Sequence, residues 1–386
     1  MSKPINLQLD PYPWYEEMLK APVAFHPQYG AYLIFRFDEV RRVFGDPDTF
    51  SSAVYEGLSE ELAFGDQIQG MDPPRHTQLR ALATHAFTRR SVAELEPRIQ
   101  QMAHDLLDPI MDREEFDFVR SFAIPLPIAV IADMLGVPKE DNDTFKEWSD
   151  LITVMSERLL TGMPDDPDHV AAMRDMRAYF QRLLEERRLN PREDLVSKLA
   201  AAEVDGRRLT PLEASNFCLL LLVAGNETTT NLLVNAVRTF TEHPEQWELL
   251  RSNPDLIPRA VEEVMRYRTS VQLMYRTVKK EVELGGAQMK PGDRVVLFMG
   301  AANRDPEKYD RPHVFDITRT PSPHLTFGHG IHQCLGAPLA RMEVAAALQA
   351  MSTRISKLHI PDEAELVPLS NFNMLGLQKL PLKLAR

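Results

Sequence analysis

Apolar residues recur every three or four positions through much of this chain, with charged residues between them. This spacing is typical of amphipathic helices, and it predicts helices over residues 90–112, 139–160, 168–188, 212–240 and 335–355. Strand-like segments are short: residues 31–36 form one, and 283–299 read as two strands joined at residues 285–286 or turned at 291–292. The pattern predicts a mainly α protein with small accessory β-sheets.

The start of the longest predicted helix is the most clearly marked. Thr210 is a suitable N-cap, Pro211 suits the first helical position, and Glu213 completes a T-x-x-E capping box. The helix can then run for about thirty residues, or about 45 Å, before His243 and Pro244 end it. A helix this long and this apolar in its middle is expected to be buried.

The 386 residues are 44% hydrophobic and 26% charged, which is enough to bury a large core. We find no linker, repeat or low-complexity tract in the sequence, so we expect a single domain over residues 1–386. The formal net charge of -12 argues against nucleic acid as a general partner.

The chain also carries no sequence signal for export. Its N-terminus lacks an apolar stretch of signal-peptide length, and the most apolar run, residues 217–224, is far below the roughly twenty residues of a membrane span. Two cysteines, Cys218 and Cys334, give no disulfide framework and suit a reducing compartment. We expect a cytoplasmic protein without a membrane anchor.

One cysteine has unusual surroundings. Residues 327–337 read FGHGIHQCLGA, which places Cys334 between a glycine-rich loop and a predicted helix. Glycines let the backbone approach a flat ligand closely, and a helix N-terminus favours a negatively charged sulfur. These features suit a thiolate bound to a metal. The alternative is a structural cysteine in a loop, which is the usual interpretation of an isolated cysteine.

Phe327, Gly330, Cys334 and Gly336 fill the pattern F-x-x-G-x-x-x-C-x-G. This loop resembles the heme-binding loop of the cytochrome P450 monooxygenases, and the likeness extends over essentially the whole chain, most closely to Bacillus-type members with broad substrate ranges. The resemblance implies that Cys334 is the proximal ligand of the iron of heme b. It also implies the single-domain cytochrome P450 fold, with heme between a long central helix and the cysteine loop.

A polar run interrupts the apolar middle of the long helix. Ala224, Gly225, Glu227, Thr228 and Thr229 match the family's oxygen-activating pattern A/G-G-x-D/E-T-T/S. The resemblance implies that Glu227 relays protons from solvent and that Thr228 holds the hydrogen-bonded network. A mid-helix Gly225 costs about 1 kcal/mol relative to Ala, so we expect water or dioxygen to approach the backbone there. Alternatively, the patch is solvated where the helix reaches the surface.

Glu263 and Arg266 lie three residues apart on a predicted helix. An exposed pair of this kind would contribute at most about 0.5 kcal/mol. The position in the chain resembles the family's E-x-x-R helix, where the pair is buried and structural. Many members add an arginine from a P-x-R-F segment, but Val314 stands at that position here, and His313 is an open candidate to replace it.

Heme carries two propionates, and a buried dianion requires cationic partners. By resemblance to bacterial members, four residues supply these contacts: His76, Arg80, Arg276 and His332. The alternative for each is a solvated surface side chain.

The family's variable segments correspond here to residues 52–69, 154–163, 220–227, 271–274 and 371–377. They predict an apolar substrate pocket formed by Leu62, Phe64, Leu220, Val223, Ala224, Val271, Leu273, Met274, Met374 and Leu375. Several of these could equally be ordinary core residues. The pocket suits fatty acids, terpenoids, steroids or macrolide-like compounds without choosing among them, and Arg158 could reach a carboxylate.

The sequence contains no dinucleotide-binding G-x-G-x-x-G and no cysteine set for an iron-sulfur cluster. Electrons are therefore expected from a ferredoxin or flavodoxin with its NAD(P)H reductase. An acidic donor would be attracted by basic residues on the cysteine side, for which Arg75, Arg89, Arg90 and Arg341 are candidates, although solvated helix faces would look the same.

The leading hypothesis is a heme-thiolate monooxygenase that uses dioxygen to hydroxylate or otherwise oxidise an apolar small molecule. A peroxide-driven hydroxylase is a second possibility, but such relatives usually lack the acid-alcohol pair that Glu227 and Thr228 form here. A heme-binding sensor without turnover is a third. A heme-free helical protein with a structural cysteine is the fourth.

Overall fold

The structure, a computed structural model, describes residues 8–21, 23–54, 67–141, 144–145, 147–148 and 167–385. Within these ranges the chain is mainly helical. The α-helices are α1 (Tyr12–Met18), α2 (Phe37–Gly45), α3 (Arg75–Ala86), α4 (Arg89–Ala93), α5 (Glu96–Met111), α6 (Pro125–Leu135), α7 (Pro167–Leu189), α8 (Leu195–Ala201), α9 (Pro211–Glu242), α10 (Pro244–Ser252), α11 (Ile257–Tyr267), α12 (Met299–Ala302) and α13 (Ala337–Arg354).

The strands are short, as the sequence predicts. They are β1 (Val23–His26), β2 (Ala31–Ile34), β3 (Phe50–Ser51), β4 (Glu115–Asp117), β5 (Glu203–Val204), β6 (Arg207–Arg208), β7 (Leu273–Val278), β8 (Val282–Leu284), β9 (Ala287–Met289), β10 (Arg294–Phe298), β11 (Lys357–His359) and β12 (Pro381–Ala385). They form a five-stranded sheet in the order β1-β2-β10-β7-β3, a three-stranded sheet β11-β12-β4 and two hairpins, β5-β6 and β8-β9.

The chain divides into two compact units. The first unit comprises Met1–Ser51, Arg98–Leu126 and Thr228–Arg386. It holds the five-stranded sheet, in which β10 pairs parallel to β2 and antiparallel to β7. One buried apolar cluster packs Ile34, Phe37, Phe44, Val295 and Leu297 against other core residues, and a second joins α1 to the sheet through Tyr12, Tyr15, Phe35 and Phe298.

The second unit comprises Ser52–Pro97 and Pro127–Glu227. A buried ion pair lies at its centre, where Arg187 Nε is 2.5 Å from the Asp194 carboxylate. The same guanidinium donates to the Gly136 carbonyl at 2.9 Å. Asp194 also caps α8, since its side chain accepts from the Ser197 amide. A buried arginine with these partners connects α7 to α8 and to the turn after α6.

Helix α9 has the capping box that the sequence predicts. The Glu213 amide donates to Thr210 Oγ1 at 3.2 Å, and the Thr210 amide donates to the Glu213 carboxylate at 3.0 Å. The helix is long and apolar enough to qualify as a membrane span by length and composition, but 61% of its most apolar window is buried inside the protein. A mostly buried core helix passes the same test, and burial is what the sequence predicts for α9.

Two predicted elements differ from those observed. The predicted helix 90–112 forms two helices, α4 and α5, because Glu94 takes the C-cap position of α4. The predicted strand pair 283–299 forms three strands, because both turn signals are used: Gly285 and Gly286 have positive φ between β8 and β9, and Gly292 does so before β10. The predicted helix 139–160 lies largely outside the described residues.

Candidate functional site

The cysteine loop is folded by its glycines. Gly328 and Gly330 have φ of +66° and +74°. A Cβ on Gly330 would lie 2.5 Å from the Phe44 carbonyl oxygen, so only glycine fits against the end of α2. The Cys334 amide donates to the Phe327 carbonyl at 2.9 Å and closes the loop. These contacts fix the backbone that carries the thiol.

Cys334 lies just before a helix, as predicted. Helix α13 begins at Ala337 after the N-cap Gly336, and a Cβ on Gly336 would lie 3.9 Å from the Cys334 Sγ. The cysteine forms no disulfide and is exposed in the structure. The residue therefore lies next to the positive end of an 18-residue helix.

A cluster of charged residues in the first unit packs against this loop. The Arg341 guanidinium carbon lies 4.5 Å from the centre of the Phe327 ring, and Arg341 Nε donates to Glu262 at 2.5 Å. His324 Nε2 lies 3.1 Å from the same carboxylate. Burial raises the pKa of Glu262, but the hydrogen bonds from His324 and Arg341 outweigh it and lower the pKa to about 2. This cluster was not predicted, although Glu262 directly precedes the glutamate of the E-x-x-R pair.

Two of the predicted propionate contacts lie near the cysteine loop in the first unit. Arg276 is 4% exposed, and its guanidinium carbon lies 5.2 Å from the centre of the Phe44 ring. Phe44 is also the residue whose carbonyl packs against Gly330. His332 ends the short 3₁₀ turn Gly330–His332 that precedes the cysteine. The buried cation Arg276 and the cysteine loop therefore both lie against Phe44 at the end of α2.

The other two predicted contacts lie in the second unit, on α3. His76 and Arg80 are four residues apart, and His76 is 2% exposed. Burial and the neighbouring Arg80 lower the pKa of His76, against a smaller opposing effect of Asp72. At neutral pH His76 is therefore uncharged and offers a hydrogen bond, while Arg80 supplies the positive charge.

The residues of the first unit fit the donor set that heme requires. Heme iron needs one strong protein ligand, and the thiol of Cys334 is exposed and sits on a rigid loop. A propionate needs a cation, and the buried guanidinium of Arg276 lies beside the same loop. A cysteine with only a structural role would more often be a buried residue, as Cys218 is.

The predicted oxygen-activating run occupies a partly open face of α9. Ala224 is exposed and Glu227 and Thr228 are half-buried, whereas Leu222 and Asn226 on other faces are buried. Exposed and half-buried positions three and four residues apart fall on one side of a helix. The acid and the alcohol are consecutive and share the accessible part of this helix.

Gly225 has a different explanation from the one that the sequence suggests. Helix α9 is continuous through residues 211–242, with no widened turn. A Cβ on Gly225 would lie 2.8 Å from Ile131 Cδ1 of α6. The group that approaches this backbone is the side chain of Ile131, and close packing of α6 on α9 accounts for the glycine. Inserted water or dioxygen is therefore not needed to explain this glycine.

Glu263 and Arg266 form the buried pair that the resemblance implies. Arg266 Nε and Nη2 each lie 2.8 Å from a carboxylate oxygen of Glu263, and the two side chains are 2% and 3% exposed. Arg266 Nη1 also donates to the Asn303 and Pro312 carbonyls at 3.1 and 2.8 Å. The pair thus ties α11 to the long connection that follows α12.

Arg319 is the third member of this network. Its Nε donates to Glu263 at 3.2 Å, and its other nitrogens donate to the Asp310, Arg311 and Val314 carbonyls. His313 does not take this place, because its Nδ1 lies 3.2 Å from Glu16. The arginine missing at Val314 is therefore replaced by one five residues further along the chain.

The predicted substrate-pocket residues divide into groups. Leu62, Phe64, Arg158 and the segment 154–163 lie outside the described residues. In the first unit, Val271 forms a β-bridge with Met374, and both Val271 and Met274 are partly buried beside one core cluster. Leu273 and Leu375 are 7% and 2% exposed and belong to the core cluster around Tyr12 and Tyr15. These two positions fit the alternative interpretation, ordinary core residues.

In the second unit, Val223 is half-buried and Ala224 exposed on α9. Leu220, one turn earlier, lines a cavity with about 360 Å³ of empty space, its open part included.

The predicted basic residues have different environments. Arg75 is exposed, and Arg90 is exposed but lies 3.1 Å from Glu94. Arg341 forms an ion pair with Glu262, and the side chain of Arg89 lies outside the described part of the chain.

Two further basic residues, Arg41 and Arg42, are exposed on α2, whose end packs against the cysteine loop. Burial, together with the positive charge of Arg41, lowers the pKa of His329 in that loop. No pattern in the sequence predicts that α2 lies beside this loop.

Comparison with known proteins identifies the family pattern. The family model described as Cytochrome P450 matches residues 27–386. Cytochrome P450 109 of Bacillus spizizenii is 40% identical over 390 residues, covering 98% of this chain and 92% of that protein. The erythromycin C-12 hydroxylase of Saccharopolyspora erythraea is 38% identical over 378 residues, covering 95% and 93%. The crystal structure of CYP109E1 from Bacillus megaterium in complex with testosterone has a TM-score of 0.88 and 38% identity, covering 97% of this chain and 99% of that chain.

Proposed function

Because this chain belongs to the cytochrome P450 family, whose members are heme-thiolate monooxygenases, we propose that it inserts one atom of dioxygen into a C–H bond of an apolar small molecule. The observation that carries the proposal is the cysteine loop, in which close glycine packing holds an exposed Cys334 thiol ahead of α13. One family match over residues 27–386 supports treating the chain as a single functional domain.

Heme b is the cofactor of this family, and when bound it supplies the iron at which dioxygen is activated. We assign Cys334 as its protein ligand. Arg276 and His332, beside the cysteine loop, are our candidates for holding a propionate, and the roles of His76 and Arg80 follow from the family pattern. The residues Phe327 and Arg341 keep the loop backbone in place through their stacked contact.

We assign proton delivery to the two consecutive polar residues of α9. The Glu227 carboxyl is half-buried, so it can exchange protons with solvent, and the Thr228 hydroxyl beside it can both accept and donate a hydrogen bond. Protons then reach the reacting oxygen through Thr228 while bulk water is kept from it. An intact acid-alcohol pair supports turnover with dioxygen over turnover driven by peroxide.

The substrate is proposed to be an apolar compound of steroid or macrolide size. One relative is named for a hydroxylation of erythromycin, and a structural relative was solved in complex with testosterone. The partly buried Val271 and Met274, together with the buried Met374, offer apolar surface of the kind that such compounds bind.

The electron donor is proposed to be a ferredoxin or flavodoxin, reduced by its NAD(P)H reductase. Exposed Arg41 and Arg42 on α2, next to the cysteine loop, support an acidic donor. We place this system in the cytoplasm, which suits a chain whose two cysteines form no disulfide.

Reconstitution tests this function. The purified protein would be combined with NADPH, a ferredoxin, its reductase and testosterone as the probe substrate, under ¹⁸O₂. We expect one labelled oxygen in each product molecule, and we expect Thr228→Ala to consume at least about tenfold more NADPH per product, because protons are no longer delivered correctly. Unlabelled product formed at an equal rate from ordinary H₂O₂ without NADPH, with unchanged coupling in Thr228→Ala, would instead support a peroxide-driven enzyme.

A further inference from the structure

The second unit contains a cavity beside the N-terminal half of α9. The space inside it that a water-sized group can occupy is about 20 Å³, far below the several hundred Å³ of a site that encloses a whole ligand, so it would admit only one end of a larger molecule. Leu79, Phe217 and Leu220 supply apolar walls, and Gln67, Glu213 and Asn216 supply polar groups. An apolar cavity with a few polar groups is the usual form of a ligand site.

Two of these polar groups have unused hydrogen-bonding capacity. Gln67 is 2% exposed, and its Oε1 accepts from Gln69 at 2.8 Å, but its Nε2 has no partner in the described part of the chain. Asn216 is 7% exposed, and its Oδ1 has none there either. A buried amide without a partner is costly, so such groups are uncommon unless a ligand or water completes them. Here one donor and one acceptor line the same cavity.

The charge in this cavity is already balanced. Glu213 carries the carboxylate, and Arg207 Nη2 lies 2.7 Å from one of its oxygens. The Thr210 amide donates to the other oxygen at 3.0 Å. Among the described residues, the cavity lining includes no lysine, arginine or histidine, and the cation beside it is Arg207, whose Nη1 has no partner there. A second carboxylate would therefore share this single cation with Glu213 and meet a like charge.

We propose that Gln67 and Asn216 bind a neutral polar group, a hydroxyl or primary amide, at one end of an otherwise apolar substrate. Such a group donates to Asn216 Oδ1 and accepts from Gln67 Nε2, whereas a carboxylate can only accept. This inference rests on the proposed function and narrows it: the substrate is a neutral alcohol or amide, and free fatty acids are disfavoured. Leu79, Phe217 and Leu220 then contact the apolar part next to the polar end.

Three ligands with the same chain test this assignment: dodecan-1-ol, dodecanamide and dodecanoate. Their dissociation constants are measured by equilibrium dialysis at pH 8 for the wild type, Asn216→Leu and Gln67→Met, with Leu79→Met as a control that changes the same wall without a hydrogen bond. We expect the wild type to bind the alcohol and the amide about three- to tenfold more tightly than dodecanoate. Each polar-site variant should lose most of that preference, as the loss of one neutral hydrogen bond predicts, and the control should keep it.

The inference is overturned if the wild type binds dodecanoate as tightly as the alcohol, or if both polar-site variants retain the preference, in which case the two amides serve structural water only. Two independent variants guard against a folding defect in one of them. The carbon monoxide spectrum of each reduced sample is recorded in parallel. Its absence in the wild type would contradict the heme-thiolate function, whereas dialysis reports ligand binding with or without heme.

Discussion

At the residue scale, two glycines of the cysteine loop are similar in conformation but differ in packing, so comparing them distinguishes the effect of backbone strain from that of close packing. Gly328 and Gly330 both have positive φ, but a Cβ at position 328 would meet nothing within 4 Å, whereas one at position 330 would lie 2.5 Å from the Phe44 carbonyl oxygen. Alanine at either position pays about 1 kcal/mol of backbone strain. Only alanine at 330 must also displace the end of α2.

We therefore expect Gly330→Ala to destabilise the protein by about 2 kcal/mol more than Gly328→Ala and to lower its heme content. Urea unfolding and the heme-to-protein absorbance ratio measure the two effects. Equal losses in the two variants would show that the contact with Phe44 does not determine the loop.

The pKa of Glu262 gives a prediction for pH dependence. Its pKa in the folded protein is about 2, below the usual 4.5, so the ionised carboxylate stabilises the fold above about pH 5 and this stabilisation is lost as pH falls towards 2. Allowing for solvent screening, we expect Glu262→Gln to cost on the order of 2 kcal/mol at pH 7. The difference from wild type in urea unfolding should shrink between pH 5 and pH 2.

Glu248→Gln is the matched control, because Glu248 pairs with Arg251 at an exposed position. We expect that variant to differ from wild type by less than about 0.5 kcal/mol at every pH. A Glu262→Gln penalty that stays constant down to pH 2 would contradict the assigned ion-pair role.

The sequence predicts those site residues that belong to a short pattern of residues close together in the chain. Cys334 and its glycines stand within a ten-residue pattern, and the Glu263–Arg266 pair lies within one helical turn. Arg319 and Ile131 could not be predicted in the same way. Arg319 reaches Glu263 across 56 residues, and Ile131 reaches Gly225 only because α6 packs on α9.

At the scale of elements, helix α11 is held by its buried ion pair and not by surface charge. Removing Arg266 leaves Glu263 buried without its main partner, which typically costs 3–5 kcal/mol. We expect Arg266→Leu to lose about that amount, measured by chemical unfolding. Arg319→Ala should lose less, because Glu263 keeps the two bonds from Arg266.

His313→Ala serves as the comparison for both variants. Its side chain is partly exposed and pairs with Glu16, so we expect less than about 0.5 kcal/mol of change. If His313→Ala cost as much as Arg319→Ala, the assignment of Arg319 as the third member would be wrong.

Elements with long periodic patterns match their predictions most closely. Helices α7, α9 and α13 begin and end within a few residues of the predicted ends, and the capping box marks the start of α9. The division between α4 and α5 was missed because the apolar spacing continues across Glu94. The β8-β9 hairpin was missed because two turn signals stood close together and only one was expected to be used.

At the scale of the whole molecule, a chain of net charge -12 must still receive electrons from a partner that is expected to be acidic. A local patch of positive charge can attract an acidic partner, and Arg41 and Arg42 lie exposed on α2 beside the cysteine loop. We expect Arg41→Glu combined with Arg42→Glu to slow reduction by a ferredoxin at least about tenfold at low ionic strength, with little effect in 0.5 M salt.

Stopped-flow reduction kinetics measure this effect. The matched control is Arg90→Glu combined with Glu94→Arg, which reverses an exposed ion pair elsewhere on the surface. An equal slowing in the control, or a slowing that does not depend on salt, would contradict α2 as the docking element.

Cys334 is proposed to ligate heme iron as a thiolate, and the function proposed for this chain depends on that bond. The most direct measurement is the absorbance difference between the reduced protein with and without carbon monoxide, recorded for the wild type, Cys334→Ala and Cys218→Ala. We expect the thiolate-ligated spectrum in the wild type and in Cys218→Ala, whose cysteine is buried in α9, and its loss in Cys334→Ala. A wild type without this spectrum, or a Cys334→Ala variant that retains it, would contradict the claim.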